Sequence, residues 1–413
     1  MFDPRTPSKS YTRRGTVLMA LAALGGSAAV PYLTAKPAPK PASKAPTLKR
    51  APLKDWPSLT QIAQTMIDDK LTPGLSLTVA HKGVVLFSQG FGMADVAAQR
   101  EVTPQTTFRI ASITKQFTAA AIMALAEDGK LSVHDPLARF LPDFPKADKI
   151  TLAQLMSHTS GMGDYVNGQS HVVLDSARDR DFNGTELLSI IRARQPLYRA
   201  QPGAAWLYSN SAFTLLSIIV EQLSGMSFAQ FCAERLFQPA GMTQSSIDTV
   251  DTVITGGSNG YRPEFRAPHG FVENKPLSAT FIAGAGAIRS TTEDLILWHH
   301  ALMNGKVLKP DSVAAMMTPA LLKNGQPAFE RRGAEPLEYG FGLGLGLEDE
   351  RRFATHGGRI NGFTGHLRSY HDDQLTLAIL YNCDGSGAAQ FMPMQKKLRK
   401  EASKLGLAEA ISA

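Results

Sequence analysis

The 413-residue sequence predicts an α+β fold in which strands from both chain ends form one antiparallel sheet flanked by helices, with a mainly helical region inserted between them. Three observations lead to this prediction. A hairpin pattern lies near the start, strand patterns return only from Tyr339 onward, and the region between has mainly helical spacing. Hydrophobic residues make up 43% of the chain, which is enough to build a sizeable core.

The chain begins with a pattern typical of an export signal, which we place at residues 1–35. Arg13 and Arg14 precede the uncharged run Thr16–Val30, which is shorter than the roughly 20 apolar residues of a membrane span. The paired arginines leave the twin-arginine route and another export route open. A periplasmic or secreted protein is therefore expected, and membrane contact is expected only through an uncleaved signal.

A proline- and lysine-rich linker follows at residues 36–52, and one catalytic domain is predicted over residues 53–410. Its first segment, SLTQIAQTMIDDKL, has helical spacing and ends before Pro73. The segment GLSLTVAHKGVVLFSQGFG then predicts two strands joined by a tight turn. An apolar helix that contains Ser112 comes next.

The second half of the domain begins with helices and ends with strands. NSAFTLLSIIVEQLSG predicts a helix with Asn210 or Ser211 as its N-cap and Gly225 as its stop signal. Tyr339–Leu347 alternates with a period of two, which predicts one strand. The patterns RRFATHGG, FTGHLRSYHDD and QLTLAILYN complete an antiparallel meander, and a helix over residues 391–405 closes the domain.

The positive charge of the chain is concentrated before this domain. Residues 1–50 carry a net charge of +8, against +7 for the whole chain, which leaves the remainder at −1. A nearly neutral domain gives no reason to expect a nucleic-acid partner. A small-molecule or peptide substrate is expected instead.

The segment RIASITKQF has Ser112 three residues before Lys115 in an otherwise apolar helix. Residues three apart on a helix share a face, so the amine can reach the hydroxyl. An amine in an apolar site shifts towards its neutral form and can accept the serine proton. Alone, however, the pair is also typical of a capping serine beside a lysine that reaches solvent.

A second element is PGAAWLYSNSAF, in which Tyr208 and Asn210 point the same way if the segment is extended. A tyrosine beside a cationic lysine loses its proton more readily and can serve as a base, and Asn210 can bind the lysine or the substrate. A rival Tyr-x-Asn occurs at Tyr165 and Asn167, so spacing alone does not select between the two.

The segment ATHGGRINGF contains His356, Gly357 and Gly358, where a strand is predicted to end. Two residues without side chains allow a substrate backbone to lie against that strand. A tight turn between two strands is the alternative explanation. A free histidine titrates near pH ~6.5, and a cationic neighbour such as Lys115 would lower the pKa of His356, so the handling of charged substrates is expected to depend on pH.

In this order, the three elements resemble the serine β-lactamase and D-alanyl-D-alanine peptidase superfamily, in particular the branch of class C β-lactamases, D-aminopeptidases and β-lactamase-like esterases. The segments LMSHTSGM, YSNSAF, AGAGAIRSTTEDL and YGFGLGLG add to this likeness, which covers roughly residues 60–385. The resemblance implies a β-lactamase/transpeptidase-like fold. It selects Tyr208 over Tyr165, because the tyrosine of the family follows a Pro-Gly and precedes an apolar helix.

The resemblance also implies a role for each residue. Ser112 would be the nucleophile, Lys115 and Tyr208 would share general acid and base work, and Asn210 would orient them. The N–H groups of Ser112 and Arg359 would form an oxyanion hole.

The third motif departs from that of class C β-lactamases, which carry Lys-Thr-Gly where this chain has His356, Gly357 and Gly358. Together with Arg359, these residues are expected to bind the substrate. Loss of the fixed cation favours a D-amino-acid peptidase or a carboxylesterase. The sequence therefore predicts an exported serine hydrolase that cleaves amide or ester bonds through an acyl-enzyme on Ser112. A β-lactamase, or a penicillin-recognising binding protein without turnover, is the alternative.

Other patterns in the chain have a simpler structural explanation. GGSNG around Ser258 satisfies G-x-S-x-G, but the α/β-hydrolase elbow needs a helix where Pro263 stands. His158 is expected to be a structural hydrogen-bonding residue, and no metal or cofactor is expected because no paired-ligand pattern occurs. Cys232 and Cys383 are expected to be buried, and the sequence leaves a disulfide between them open.

Overall fold

The computed structural model describes residues 48–167, 171–267, 269–330, 336–385 and 389–412. The predicted export signal and most of the predicted linker lie outside the described residues. The strands are β1 (Lys49–Arg50), β2 (Gly74–His81), β3 (Val84–Asp95), β4 (Arg100–Glu101), β5 (Phe108–Arg109), β6 (Ser246–Ile247), β7 (Tyr261–Pro263), β8 (Phe271–Glu273), β9 (Ile288–Ser290), β10 (Phe329–Glu330), β11 (Leu337–Tyr339), β12 (Gly344–Glu348), β13 (Arg351–Ile360), β14 (Phe363–Tyr370) and β15 (Leu375–Tyr381). The helices are α1 (Pro57–Asp68), α2 (Thr114–Glu127), α3 (Leu152–Met156), α4 (His171–Ser176), α5 (Gly184–Arg192), α6 (Asn210–Ser224), α7 (Phe228–Cys232), α8 (Gln238–Ala240), α9 (Ala279–Ile282), α10 (Thr292–Met303), α11 (Pro310–Met316) and α12 (Phe391–Ser412).

One large sheet joins the two ends of the domain. Its strands follow the order β1-β3-β2-β15-β14-β13-β12-β11-β10, with β4 also paired to β3. The first long strand, β2, lies antiparallel to the last one, β15, with Leu75 opposite Tyr381. Only β1 and β3 form a parallel pair within this sheet, among the described residues. The sheet confirms the predicted α+β architecture, with the helical region inserted between the two sets of strands.

The two faces of the sheet pack against different helices. Helices α1 and α12 cover one face, in a cluster that includes Leu77 and Leu398. The other face supports the helical region around α2, α6 and α10, whose larger cluster includes Phe117, Phe213 and Trp298. Helix α2 is buried nearly all round, as expected for a helix enclosed on every side. The short turn that leads into α2 contacts β13 and β14, and the candidate site is built at this point.

The cysteines lie in different clusters. Cys232 packs in the helical region and Cys383 between the sheet and α12. Both are buried, as predicted, and both are free thiols, so the disulfide that the sequence left open is not formed.

The prediction of one strand over Tyr339–Leu347 is wrong. Strand β11 ends at Tyr339, β12 begins at Gly344, and the residues between them form a turn. Gly342 has a φ of +71°, and a Cβ on it would lie 2.6 Å from the carbonyl oxygen of Lys115. One glycine of the alternating pattern thus permits a close approach to α2, which the period of two conceals.

Two element boundaries also differ from the prediction. Lys49–Arg50 forms an edge strand that pairs with Val84 and Val85, so the sheet begins within the predicted linker. The last helix extends from Phe391 to Ser412. In the described residues, no single helix is long and apolar enough to cross a membrane. The two helical segments Asn210–Ser224 and Phe228–Ala240 together have the length and composition of a span, but the chain bends by 82° between them.

Candidate active site

Ser112 and Lys115 lie at the start of α2. Ser112 is in the one-turn 3-10 helix Ala111–Ile113, which runs directly into α2. Lys115 is completely buried, and its Nζ lies 3.1 Å from Ser112 Oγ. Ala111 has a φ of +48°, in the left-handed region that residues other than glycine rarely adopt. The chain therefore turns sharply just before Ser112, which stays half-buried above the lysine.

Tyr208 and Asn210 reach the same point from the beginning of α6. Tyr208 OH lies 2.6 Å from Ser112 Oγ, and Lys115 Nζ lies 4.7 Å from the centre of the Tyr208 ring. Asn210 Oδ1 accepts a hydrogen bond from Lys115 Nζ at 2.8 Å. The structure thus brings together the four residues that the first two motifs predict.

The N-cap of α6 is Ser209, not Asn210 or Ser211 as predicted. The Ser209 hydroxyl accepts from the Ala212 N–H at 3.2 Å, while Gly225 ends the helix with a φ of +73°, as predicted. A capping side chain folds back onto its own helix. Because Ser209 performs this task, Asn210 can point into the site.

The Lys115 amine makes three hydrogen bonds. Besides Ser112 Oγ and Asn210 Oδ1, it donates to the carbonyl oxygen of Ala285 at 2.7 Å. Burial lowers the pKa of Lys115 to about 7, and nearby carboxylates partly offset this effect. A neutral amine has two N–H groups, which can donate hydrogen bonds to Asn210 Oδ1 and the Ala285 carbonyl oxygen. Its lone pair then faces Ser112. This geometry suits transfer of the serine proton to the lysine.

His158 packs against Tyr208. The centroid of its ring lies 4.5 Å from that of Tyr208 and 5.0 Å from those of Phe213 and Tyr339. Its Nδ1 accepts from the Ser209 N–H at 3.2 Å. As predicted, His158 is a structural hydrogen-bonding residue. It also supports the Tyr208 ring, a contact between distant parts of the chain that the sequence does not reveal.

The third motif lies within β13, not at the end of a strand as predicted. Strand β13 continues to Ile360, and the turn into β14 is at Asn361 and Gly362. Strand β12 pairs with β13 only as far as Thr355, so in the described part of the chain residues 356–360 pair with β14 alone. The tight-turn alternative is therefore wrong, and the motif has one open strand edge.

The open edge forms a wall of a cavity whose volume is about 1420 Å³. The cavity extends from the start of α2 to the first turns of α12. Seven of the eight predicted site residues line this cavity: Ser112, Tyr208, Asn210, His356, Gly357, Gly358 and Arg359. The eighth, Lys115, is completely buried. The sequence motifs therefore converge on one cleft.

The two glycines of β13 serve different purposes. A Cβ on Gly358 would lie 2.1 Å from the carbonyl oxygen of Ile110, so β13 packs directly on the turn that carries Ser112. A Cβ on Gly357 would meet no described atom closer than the Gly365 carbonyl oxygen, at 3.9 Å. Packing therefore requires glycine at position 358, whereas a side chain at position 357 would have room.

We expect Gly358→Ala to lower the free energy of unfolding by about 1–3 kcal/mol, because the added methyl group pushes β13 away from Ile110. Gly357→Ala is the matched control, and its effect should stay within about 0.5 kcal/mol. Urea unfolding of both variants measures the difference. Equal losses of stability would show that the close approach at Gly358 is not what restricts this position.

Both ring nitrogens of His356 make hydrogen bonds within the protein. Its Nδ1 lies 2.6 Å from the Gly357 carbonyl oxygen, which can only accept, so Nδ1 carries the proton and Nε2 accepts from Tyr339 OH at 2.9 Å. Burial lowers the pKa of His356 to about 3, and the charge of Lys115 acts in the same direction. The pKa of His356 is thus lowered in the direction expected beside Lys115, though mainly by burial, and His356 is a neutral wall residue.

The rival motifs do not form sites. The buried Ser258 hydroxyl lies 3.0 Å from each of the carbonyl oxygens of Ala94 and Asn259, and strand β7 follows it where the elbow needs a helix. Tyr165 OH donates to the carbonyl oxygen of Phe281. Among the described residues, no group of three or more His, Cys, Asp or Glu is arranged to hold a metal ion.

Two contributors to the site were not predicted. The Ala285 carbonyl binds Lys115, and the Asp164 carboxylate accepts from Asn210 Nδ2 at 2.9 Å. A main-chain carbonyl leaves no signal in a sequence. Asp164 follows the segment LMSHTSGM, and its position beside a segment shared with the family is the only signal that points to it.

Comparison with known proteins gives a consistent result. The beta-lactamase family model matches residues 59–399. A penicillin-binding protein of Bacillus subtilis (strain 168) is 30% identical over 322 residues, which are 74% of this chain and 67% of that protein. A D-aminopeptidase of Brucella ovis is 25% identical over 358 residues, 84% of this chain and 65% of that enzyme. The chain thus spans about two thirds of the length of these relatives.

The fold has a counterpart among solved structures. The D-amino acid amidase of Ochrobactrum anthropi SV3 superposes with a TM-score of 0.71 over 86% of this chain and 99% of that one, at 22% identity. This likeness shows the shared fold, while the family model covers most of the sequence. The chain therefore belongs to the beta-lactamase family and is a hydrolase of the serine beta-lactamase fold.

Proposed function

We propose that this protein cleaves amide or ester bonds of D-amino-acid compounds through an acyl-enzyme on Ser112. The observation that carries the proposal is the hydrogen-bonded chain from Tyr208 OH through Ser112 Oγ and Lys115 Nζ to Asn210 Oδ1, at the wall of a large cavity. A hydroxyl that touches two groups able to take its proton is prepared for nucleophilic attack.

In acylation, the neutral amine of Lys115 accepts the Ser112 proton while Oγ bonds to the substrate carbonyl carbon. The bond to the leaving group then breaks, and the leaving amine or alcohol takes a proton from the Lys115–Tyr208 pair. In deacylation, a water molecule adds to the ester carbon, gives one proton to the same pair, and releases the acid product. Ser112 Oγ regains its proton, so the cycle closes.

The oxyanion of both steps is proposed to bind the N–H groups of Ser112 and Arg359. The close approach of Gly358 to the Ile110 carbonyl supports this proposal, because it holds β13 against the turn before Ser112. Fixed main-chain donors cost no reorganisation when the negative charge develops.

Three observations favour a D-amino-acid substrate over a β-lactam. His356 is neutral, so the third motif offers no cation to a β-lactam carboxylate. The open edge of β13 suits a peptide-like backbone, and one relative is a D-aminopeptidase. A second candidate, acylation by penicillin without turnover, is favoured by the likeness to a penicillin-binding protein.

A substrate panel tests the proposal. D- and L-amino-acid p-nitroanilides, p-nitrophenyl esters, a D-Ala-D-Ala peptide and nitrocefin would be compared at equal enzyme concentration. We expect turnover of a D-amino-acid amide or ester, with the L enantiomer slower and nitrocefin slowest. Stoichiometric acylation by penicillin with no turnover of any amide or ester would instead support the second candidate.

The pH dependence of activity should follow Lys115. Because the base must be neutral, kcat/KM for an uncharged ester should fall below a pH of about 7, by about tenfold per pH unit. His356→Asn is the control, since the pKa of His356, about 3, lies far from this limb. An acidic limb that moves or disappears in His356→Asn would contradict the assignment to Lys115.

We also propose that the protein is exported, on the strength of Arg13, Arg14 and the apolar run Thr16–Val30. N-terminal sequencing of the native protein from a periplasmic or secreted fraction is expected to give a start between about residues 28 and 36. An intact Met1 on a cytoplasmic protein would contradict export.

A further inference from the structure

The carboxylate of Asp164 is an acceptor at the centre of a small network. Asp164 is buried, with 8% of its surface exposed, in the loop after α3. Its Oδ1 accepts from the main-chain N–H groups of Val166 at 2.9 Å and Asn167 at 3.1 Å. Its Oδ2 accepts from Asn167 Nδ2 at 2.7 Å and from Asn210 Nδ2 at 2.9 Å. Both oxygens are therefore held in place from one side, and Oδ2 faces Asn210.

This contact fixes which way round the Asn210 amide lies. The oxygen and nitrogen of an asparagine amide have nearly the same shape, so packing alone does not distinguish its two orientations. An ionised carboxylate can only accept hydrogen bonds, so Asp164 requires the Asn210 NH₂ group on its side. The Asn210 oxygen must then face the Lys115 amine, which it does at 2.8 Å.

We propose that Asp164 is a positioning residue of this site, whose carboxylate fixes the Asn210 amide and thereby directs the Lys115 lone pair at Ser112. If the amide were reversed, its NH₂ group would face the amine, and the lone pair of a neutral lysine would be engaged by Asn210. The inference rests on the proposed function, since it takes Lys115 as the base.

The charge of Asp164 acts on Lys115 as well. In the described part of the chain, the ionisable groups around the Lys115 amine include Tyr208, whose ring it overlies, neutral His356, and the carboxylates of Asp164 and Glu330. Burial lowers the pKa of Lys115, and Asp164 is the larger of the two carboxylate influences that raise it. Removing this charge should therefore lower the pKa of Lys115 further.

Among the described residues, no ionisable side chain binds the carboxylate of Asp164. The Arg194 guanidinium binds the main-chain oxygen of Asp164 at 3.0 Å, not its carboxylate. Burial raises the pKa of the neighbouring Tyr165 hydroxyl, which stays neutral. Lys115, reached through Asn210, is thus the ionisable partner on which a change at Asp164 should act.

The test compares Asp164→Asn with Asp164→Ser. In Asp164→Asn, the N–H groups of Val166 and Asn167 should keep the new amide oxygen. Its NH₂ group would then face the side-chain amides of Asn167 and Asn210 and force both amides to reverse. The plateau of kcat/KM should fall about ten- to hundredfold. In Asp164→Ser, the hydroxyl can keep the turn but no longer constrains Asn210, so the loss should be smaller.

In both variants the acidic limb of kcat/KM should move to lower pH, by roughly one unit at most. Asp248→Asn is the matched control, because Asp248 is equally buried but pairs with Arg289, with Oδ2 to Nε at 2.9 Å. It should lower the melting temperature and leave the limb in place.

A merely structural role would make serine, the larger change of shape, the worse substitution and would not move the limb. That order, an unmoved limb, or a plateau of Asp164→Asn within twofold of wild type would overturn the proposal. Because Asp164→Ser retains the turn, it provides the answer if Asp164→Asn does not fold. Failure of the proposed function would look different, since wild type would then lack both the Ser112 adduct and the acidic limb.

Discussion

Ser112→Ala is expected to lower kcat/KM for any amide or ester substrate by about 10⁴-fold or more. The variant loses the atom that forms the acyl-enzyme, and only binding and the oxyanion hole remain to assist a water molecule. Since Ser112 is half-buried and its hydroxyl contacts Tyr208 and Lys115, the fold should tolerate the smaller side chain. Progress curves give kcat/KM of the variant and of the wild type, whose active concentration is determined by active-site titration.

Ser258→Ala is the matched control for this experiment. Ser258 is the serine of the rival G-x-S-x-G motif, and its hydroxyl hydrogen-bonds to main-chain carbonyl oxygens. Its loss should cost stability of about 1 kcal/mol and leave kcat/KM within about twofold of wild type. If Ser258→Ala were inactive and Ser112→Ala active, the assignment of the nucleophile would be wrong.

Lys115→Ala and Tyr208→Phe are each expected to reduce kcat by about 10²–10⁴-fold, the usual contribution of a general acid or base. Both groups contact Ser112 Oγ, at 3.1 and 2.6 Å, and the Lys115 amine lies over the Tyr208 ring. Residues that move one proton as a unit are non-additive. The double variant should therefore be little slower than the slower single one.

Tyr165→Phe is the control for Tyr208→Phe, because it removes the hydroxyl of the rival Tyr-x-Asn. That hydroxyl binds the carbonyl oxygen of Phe281 within the helical region, so its loss should lower the melting temperature and spare kcat. Rate losses that multiply in the double variant Lys115→Ala/Tyr208→Phe would mean that the two residues act on separate protons.

Local spacing accounts for what the sequence could predict. Ser112 and Lys115 are neighbours on one helical turn, so their contact follows from helix geometry alone. Tyr208 and Asn210 adjoin a strongly patterned helix, but the choice between Tyr208 and Tyr165 came from the family likeness. The burial of Tyr165 under Phe281, which separates the two, depends on contacts between distant segments.

The parts that could not be predicted are those that depend on tertiary contacts. The open edge of β13 exists because β12 stops pairing at Thr355. The residue pattern of one strand does not reveal how far the neighbouring strand extends along it. Lys115 lowers the pKa of His356 as expected, but the larger cause is burial, which no motif reveals. Asp164 joins the site through a hydrogen bond to Asn210, far along the chain.

The acyl-enzyme on Ser112 is tested most directly by mapping the site of covalent modification. The full chain would be incubated with a fluorophosphonate, digested, and analysed by mass spectrometry while residual activity is followed. We expect one adduct per chain, on the peptide that contains Ser112, with activity lost in proportion to labelling. An adduct confined to the Ser258 peptide, or full activity in protein that is completely modified at Ser112, would contradict the account.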